Sequence, residues 1–197
     1  MPVPKSRVAE LQGPLRARYR TSPETARITD RARTLGGRQG DPFHTDVEPA
    51  PGLGVAVPVG VHGAVGGLHD AATPGDILCA ALAACLDSTI RMVADILGAG
   101  IEALEVEVTA EVDVRGTLAV ERDVPVGFQS MRCAVHLKAR QGTSPEILDR
   151  LLKTAERSCI VLQTLRAGVP VETSVDLDGD RPAVEADPDR GSRAEEP

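Results

Sequence analysis

The feature that most constrains this chain is the stretch from Thr73 to Gly98, TPGDILCAALAACLDSTIRMVADILG, whose spacing predicts one long helix. Thr73 is placed to cap it, Pro74 takes the first helical position where a missing N–H costs nothing, and Asp76 falls three residues after the cap. Gly98 supplies the stop. Ile77, Leu78, Ala81, Leu82, Cys85, Leu86, Thr89, Val93 and Leu97 recur at helical steps and make one apolar stripe. Asp87, Arg91 and Asp95 stand at i, i+4 and i+8 on the other side, which is the wet face. A helix of this kind needs a cover, and the rest of the chain reads as that cover.

After Gly98 the period changes from 3.6 to 2. Leu104, Val106, Val108, Ala110, Val112 and Val114 alternate with acidic and polar residues, and Arg115-Gly116-Thr117 is expected to turn the strand. Met131, Cys133, Val135, Leu137 and Ala139 form the return strand of an antiparallel ribbon. Ser144-Pro145-Glu146 opens a second helix, with Ile147, Leu148, Leu151, Leu152 and Ala155 inward, and this helix runs into Cys159. A helical turn over Ile160 to Leu165 is broken by Gly168, and Val169 to Val175 reads as a last short strand. On the N-terminal side, Pro14 to Arg20 and Ala26 to Thr34 show short alternations that suggest a hairpin, and Pro58 marks Pro51 to Val61 as an edge strand. Two glycine loops, Gly36 to Gly40 and Gly66-Gly67, punctuate this half. The expected organisation is α+β: a loose N-terminus over 1–13, a single domain over 14–175 and a disordered acidic tail over 176–197 that holds almost no large apolar residues.

Net charge and aromatic content narrow the function classes. At a formal charge of −7 and with only 2% Phe, Tyr and Trp, the chain offers neither a basic groove nor stacking platforms for nucleic acid. No uncharged apolar run reaches the roughly 18 residues of a membrane span, and MPVPKSRVAELQG lacks a signal-peptide core, so a cytoplasmic protein is expected. In that reducing compartment Cys79, Cys85, Cys133 and Cys159 stand as thiols, and a disulfide between any of them is a redox event. Their spacing matches no zinc pattern, and neither metal nor cofactor is expected.

Two of these thiols, Cys85 and Cys159, sit where helices deliver them to the interior. A helix-interior thiol is equally well read as a small hydrophobe, because reactivity needs a cation or dipole to draw its pKa below about 8.5. The candidate cations are Arg38 in its glycine turn, or Arg16, Arg18, Arg20, Arg27 and Arg31. Asp76 is either a carboxylate at a helix start or the group that orients such an arginine. His44, His62, His69 and His136 are scattered and carry no ligand pattern.

Pro74-Gly75-Asp76-Ile77-Leu78 followed by AALAAC, then the strand LEVEVTAEVDV, then a helix ending AERSCIVLQTLR, resembles the OsmC/Ohr family of osmotically inducible proteins and organic hydroperoxide reductases. The likeness runs from about Gly66 to Val175 and is most specific in the cysteine eleven positions after the proline and in the second cysteine of a C-x₄-T-L setting. The resemblance implies an OsmC-like α+β fold in which antiparallel sheets wrap two long central helices of an intertwined homodimer. It implies Cys85 as peroxidatic thiol and Cys159 as resolving thiol, with Arg38 and Asp76 as activating pair. The implied reaction is reduction of organic, alkyl or lipid hydroperoxides at the expense of an external dithiol, of which a lipoyl type is one. Two positions depart from the family pattern: Gly75 stands where an acid usually follows the proline, and Ile160 stands where proline usually follows the second cysteine. The rival expectation is a non-catalytic OsmC-fold redox sensor or small-molecule binder.

Overall fold

The computed structural model describes residues 6–37 and 39–177. A compact unit ends at Ala167, and a separate stretch begins at Gly168. Within the compact unit the order is α1 (Arg7–Thr21), a 3₁₀ turn (Pro23–Ala26), β1 (Arg33–Thr34), β2 (Thr45–Glu48), β3 (Val57–Val59), a second 3₁₀ turn (Gly63–Val65), α2 (Pro74–Leu97), β4 (Ile101–Glu111), β5 (Ser130–Ala139), α3 (Pro145–Ser158) and α4 (Ile160–Ala167). Two antiparallel sheets result, β1-β2-β3 and β4-β5. The α+β class expected from the sequence is what the chain adopts.

The long helix α2 forms as its termini dictate. Thr73 accepts the Asp76 backbone N–H at 3.3 Å while the Asp76 carboxylate accepts the Thr73 N–H at 2.8 Å, a reciprocal cap. Gly98 closes the other end in the left-handed conformation, φ 68°. Its buried side is Leu82, Leu86, Thr89, Ile90, Val93 and Ala94, so the stripe is rotated slightly from the expected one: Ile90 and Ala94 join it, and Ala81 is exposed. By length and composition α2 is the helix among the described residues that would suit a membrane span, yet its inner side packs on α3 and β4. Leu82, Ile90, Leu151 and Cys159 are the largest fully buried side chains, and each aliphatic one removed from water contributes about 1.5–3 kcal/mol.

The β4-β5 ribbon carries its alternation into register. Leu104 faces Leu137, Val106 faces Val135 and Val108 faces Cys133, all packed against the helical core, with glutamates between them turned out. The strand ends at Glu111, earlier than the expected Val114, and a loop over 112–129 replaces the short turn. That loop returns Phe128 to the start of α2, where a Cβ on Gly75 would stand 3.0 Å from its ring. In the first sheet β3 lies at the edge, as Pro58 requires, and a parallel bridge from Val59 to Ala72 ties it to the entrance of α2. Gly67 is obligatory in the same entrance, because a Cβ there would meet the Val61 carbonyl oxygen at 2.1 Å.

Three expectations are corrected. The N-terminus is neither loose through residue 13 nor a hairpin over Pro14 to Arg20: it forms the helix α1, capped by Ser6, whose hydroxyl accepts the Ala9 N–H at 2.9 Å. Val8, Leu11 and Leu15 already recur at helical spacing, a longer-range signal than the brief alternation, and the helix runs through Pro14. Ala26 to Thr34 contributes only the two-residue β1. Val169 to Val175 forms no strand; Pro170 lacks a ladder N–H, and Val171 and Val175 are each 81% exposed. The acidic tail expected from residue 176 lies, from 178 onward, outside the described residues.

Candidate functional site

Two thiols lie side by side within the compact unit. Cys85 projects from the middle of α2, and Cys159 stands at the junction where α3 ends and α4 begins, its backbone extended at φ −74°, ψ 108°. The antiparallel packing of α3 on α2 brings them side by side, and both are free. Cys159 is completely buried, whereas Cys85 is half-buried and reaches a trough of about 620 Å³. Burial pushes the Cys159 thiol above its ordinary range, and the adjacent Cys85 thiol pushes the same way. The backbone N–H groups of Leu162 and Val161, at the start of α4, act against these two. One thiol is thus accessible and the other is fully buried beside it.

The trough runs along α2 from Cys85 to Leu97, about 18 Å at 1.5 Å per residue, between α1 on one side and α3 on the other. Met92, Val93 and Ile96 give it an aliphatic floor. The α1 wall is fixed by Asp95, which accepts the Ser6 hydroxyl at 2.6 Å and the Val8 N–H at 2.9 Å. Those two bonds hold the Asp95 carboxyl below the usual range. Asp95 therefore latches α1, while Arg91 pairs with Asp87, at 2.7 Å.

The sequence-predicted residues fall in three places. Cys85 and Cys159 are brought together. Arg38 lies outside the described residues, although its glycine turn is as expected, with Gly36 and Gly40 at φ 88° and 82°. His44 anchors the segment after that turn: its ring meets Asp41 at 2.7 Å and Asp70 at 3.0 Å, and these carboxylates raise its pKa, Asp70 foremost. Asp76 is not beside Cys85. Nine residues earlier on α2, it is half a turn around the helix and about 13 Å away along the axis. Its Oδ2 accepts the Thr73 N–H and hydroxyl, both at 2.8 Å, which keep its pKa low. The thiol it does influence is Cys79, one turn on, which burial and the Asp76 charge push upward.

Among the other candidate arginines, Arg16 lines the Cys85 trough and Arg18 lies 5.3 Å over the Tyr19 ring instead. Arg150 of α3, which sequence reasoning did not single out, also lines the trough. A signal for it existed in the outward register of α3, since Arg150, Thr154 and Ser158 share one helix face at i, i+4, i+8.

The comparisons fit this architecture. The family model described as OsmC-like protein matches residues 67–174, more than half of the 197-residue chain. Among curated proteins none matches. Of solved structures, an OsmC-like protein from Mycoplasma pneumoniae superposes with a TM-score of 0.57 at 13% identity, covering 72% of this chain and 89% of its own. An organic hydroperoxide resistance protein from Legionella pneumophila does so with a TM-score of 0.51 at 22% identity, covering 71% and 90%. Another from Elizabethkingia anophelis, with thiocyanate bound, gives 0.52 at 21% identity over 72% and 91%. At these identities the likeness is one of fold.

Proposed function

Because the chain belongs to the OsmC-like protein family, we propose that it is a thiol-dependent peroxidase that reduces organic hydroperoxides, with Cys85 as nucleophile and Cys159 as resolving thiol. The observation that carries this reading is the side-by-side placement of an accessible thiol and a fully buried one. In the first step the Cys85 thiolate attacks the terminal oxygen of R–O–O–H, the O–O bond breaks, and the alkoxide takes up a proton and leaves as the alcohol. Sulfur gives up two electrons and becomes a sulfenic acid. The Cys159 sulfur then attacks the Cys85 sulfur, hydroxide departs and takes up the proton of the Cys159 thiol as water, and a disulfide remains. An external dithiol reduces that disulfide by exchange and becomes a disulfide itself. A lipoyl-type dithiol meets the requirement, in a reducing cytoplasm.

Physical features favour alkyl hydroperoxides over hydrogen peroxide, since the aliphatic floor gains from covering an alkyl chain. Activation of the Cys85 thiol is assigned to an arginine, Arg38 by the family resemblance. A homodimer is part of the same reading. The exposed Ala80, Ala81 and Ala84 side of α2 and the alternating exposed Val169, Val171 and Val175 are apolar surface that a second copy would cover.

One observation favours the rival reading, a non-catalytic OsmC-fold redox sensor or small-molecule binder: the Asp76 carboxylate is bonded back to Thr73, half a turn of α2 away from Cys85. Consumption of cumene hydroperoxide by the purified protein, with dihydrolipoamide as reductant, decides between them. Turnover that disappears in Cys85→Ser is the expected result. A rate equal to that of the reductant alone would leave the sensor or binder.

A further inference from the structure

Both ring nitrogens of His44 rest on carboxylates. Nδ1 meets Asp41 Oδ2 at 2.7 Å, and Nε2 meets Asp70 Oδ1 at 3.0 Å and Oδ2 at 3.2 Å. A neutral imidazole has one N–H and one lone pair, and an ionised carboxylate only accepts, so both contacts are hydrogen bonds only when the ring is an imidazolium. The two carboxyls are held below the usual range, Asp41 by the Phe43 N–H foremost and Asp70 by His44, so each keeps its negative charge at neutral pH. The contacts differ in reach. Asp41 is three residues from His44 and also accepts the Phe43 N–H at 2.8 Å. Asp70 is 26 residues away, in the loop ahead of α2, with 54% of its side chain exposed against 24% for Asp41. The near arm of the glycine turn rests on the same residue, since a Cβ on Gly37 would stand 3.0 Å from the His44 carbonyl oxygen.

We infer that His44 is a pH-operated clasp: as imidazolium it fastens the glycine turn over 36–44 to the entrance of α2, and as neutral imidazole it keeps Asp41 and releases Asp70. The local pair survives because the Nδ1–H alone serves it, whereas the Asp70 carboxylate then faces a ring lone pair. The charged groups that face the ring are Asp70 and Asp41. On the same loop His69 stacks on His62, centroids 4.2 Å apart, and the carboxylate these two act on is Asp76. Release is confined to the turn, because the β2-β3 ladder and the Gly60 N–H bond to the Ala72 carbonyl, at 3.0 Å, do not titrate. Asp70 and then Asp41 raise the folded value of His44, so the clasp's contribution is complete below the unfolded value near 6.5 and is lost as pH rises through the folded one. Its bearing on turnover rests on the peroxidase reading, because this turn carries Arg38.

The test compares variants of the full chain at one pH, so that the chemical rate of amide exchange cancels. Deuterium uptake of the peptide over 35–44 is followed in wild type and in Asp70→Asn. At about pH 5.5 the variant is expected to exchange about three- to fivefold faster, the size an exposed ion pair gives, and at about pH 9 the two should exchange alike. Peptides over β2 and β3 should not respond at either pH. His44→Gln should repeat the pattern, and it takes over if Asp70→Asn loses its helical circular dichroism. In the wild type itself, the His44 ring resonances should titrate above the ordinary value of about 6.5. A difference of the same size at both pH values, no difference at either, or a His44 titration at or below the ordinary value overturns the clasp. Consumption of cumene hydroperoxide should follow the exchange, slower in Asp70→Asn than in wild type at about pH 5.5 and equal at about pH 9. A wild type without turnover at either pH removes the peroxidase and leaves the clasp to the exchange data; turnover with an exchange difference that ignores pH removes the clasp and leaves the peroxidase.

Discussion

Cys85 and Cys79 lie six residues apart on one helix, and their surroundings differ in every respect that matters to a thiol. Six steps of 100° leave Cys79 about 120° away from Cys85 around α2. Cys85 opens onto a trough that Arg16 and Arg150 also line and has Cys159 beside it. Cys79 has the Asp76 carboxylate one turn before it and shares its side with Cys133 of β5, whose thiol burial pushes up and the Arg166 charge draws back. The contrast teaches that position on the helix face, more than the depth at which a cysteine is buried, decides what surrounds a thiol. A partner thiol and an open trough are present on one side; the Asp76 carboxylate is present on the other.

The largest expected effect separates the two thiols by activity. Cys85→Ser should lower hydroperoxide consumption by about a hundredfold or more, and Cys79→Ser should stay within about twofold of the wild type. Steady-state assays with cumene hydroperoxide check it, and a comparable loss in both variants would erase the distinction. Next comes the pattern of oxidation. After one equivalent of hydroperoxide, peptide mapping should find Cys85 linked to Cys159 while Cys79 and Cys133 remain reduced, because burial pushes both of the latter thiols up, and the Asp76 charge adds to this at Cys79. Four free thiols after that exposure would count against the whole contrast.

Stability changes come third. Thr73→Ala removes the acceptor for the Asp76 N–H and a donor to its carboxylate, and should cost about 1 kcal/mol in denaturant unfolding. The smallest effect is the most discriminating. Asp76→Asn should cost about a few tenths of a kcal/mol, lower the pH at which Cys79 is alkylated, and leave Cys85 alkylation unmoved. The sign with pH follows from the lowered Asp76 pKa: the carboxylate's contribution is complete above its unfolded value near 3.9 and is lost as the pH falls through the folded value, so wild type and variant should converge in acid. A slowed peroxide turnover in this variant would instead return Asp76 to the Cys85 site.

Much of the fold was legible because its signals are local. The cap at Thr73, the stop at Gly98, the switch to period two at β4 and the Ser144-Pro145 start of α3 each depend on residues within a few positions of one another. The side of α2 on which Asp76 lies was equally present in the spacing, since nine residues always place two side chains on opposite faces of a helix. The family likeness gives Asp76 a role through an arginine, and that role needs no contact with Cys85. Short alternations misled at both ends of the chain. Over Pro14 to Arg20 a helical repeat of wider reach won, and over Val169 to Val175 an alternating pattern stands without a ladder to join.

The sequence by itself determined the helices, the hairpin and the inward register of Cys85, because those follow from backbone sterics and from which side chains avoid water at the local period. Only the tertiary structure decided that Cys159 lies against Cys85, that Asp95 latches α1 rather than pairing with Arg91, and that Arg16 and Arg150 line the same trough. Each of these joins residues far apart in the chain, and no periodicity records which helix packs against which. That choice belongs to the burial of α2 as a whole, shared among α1, α3 and the β4-β5 ribbon at once.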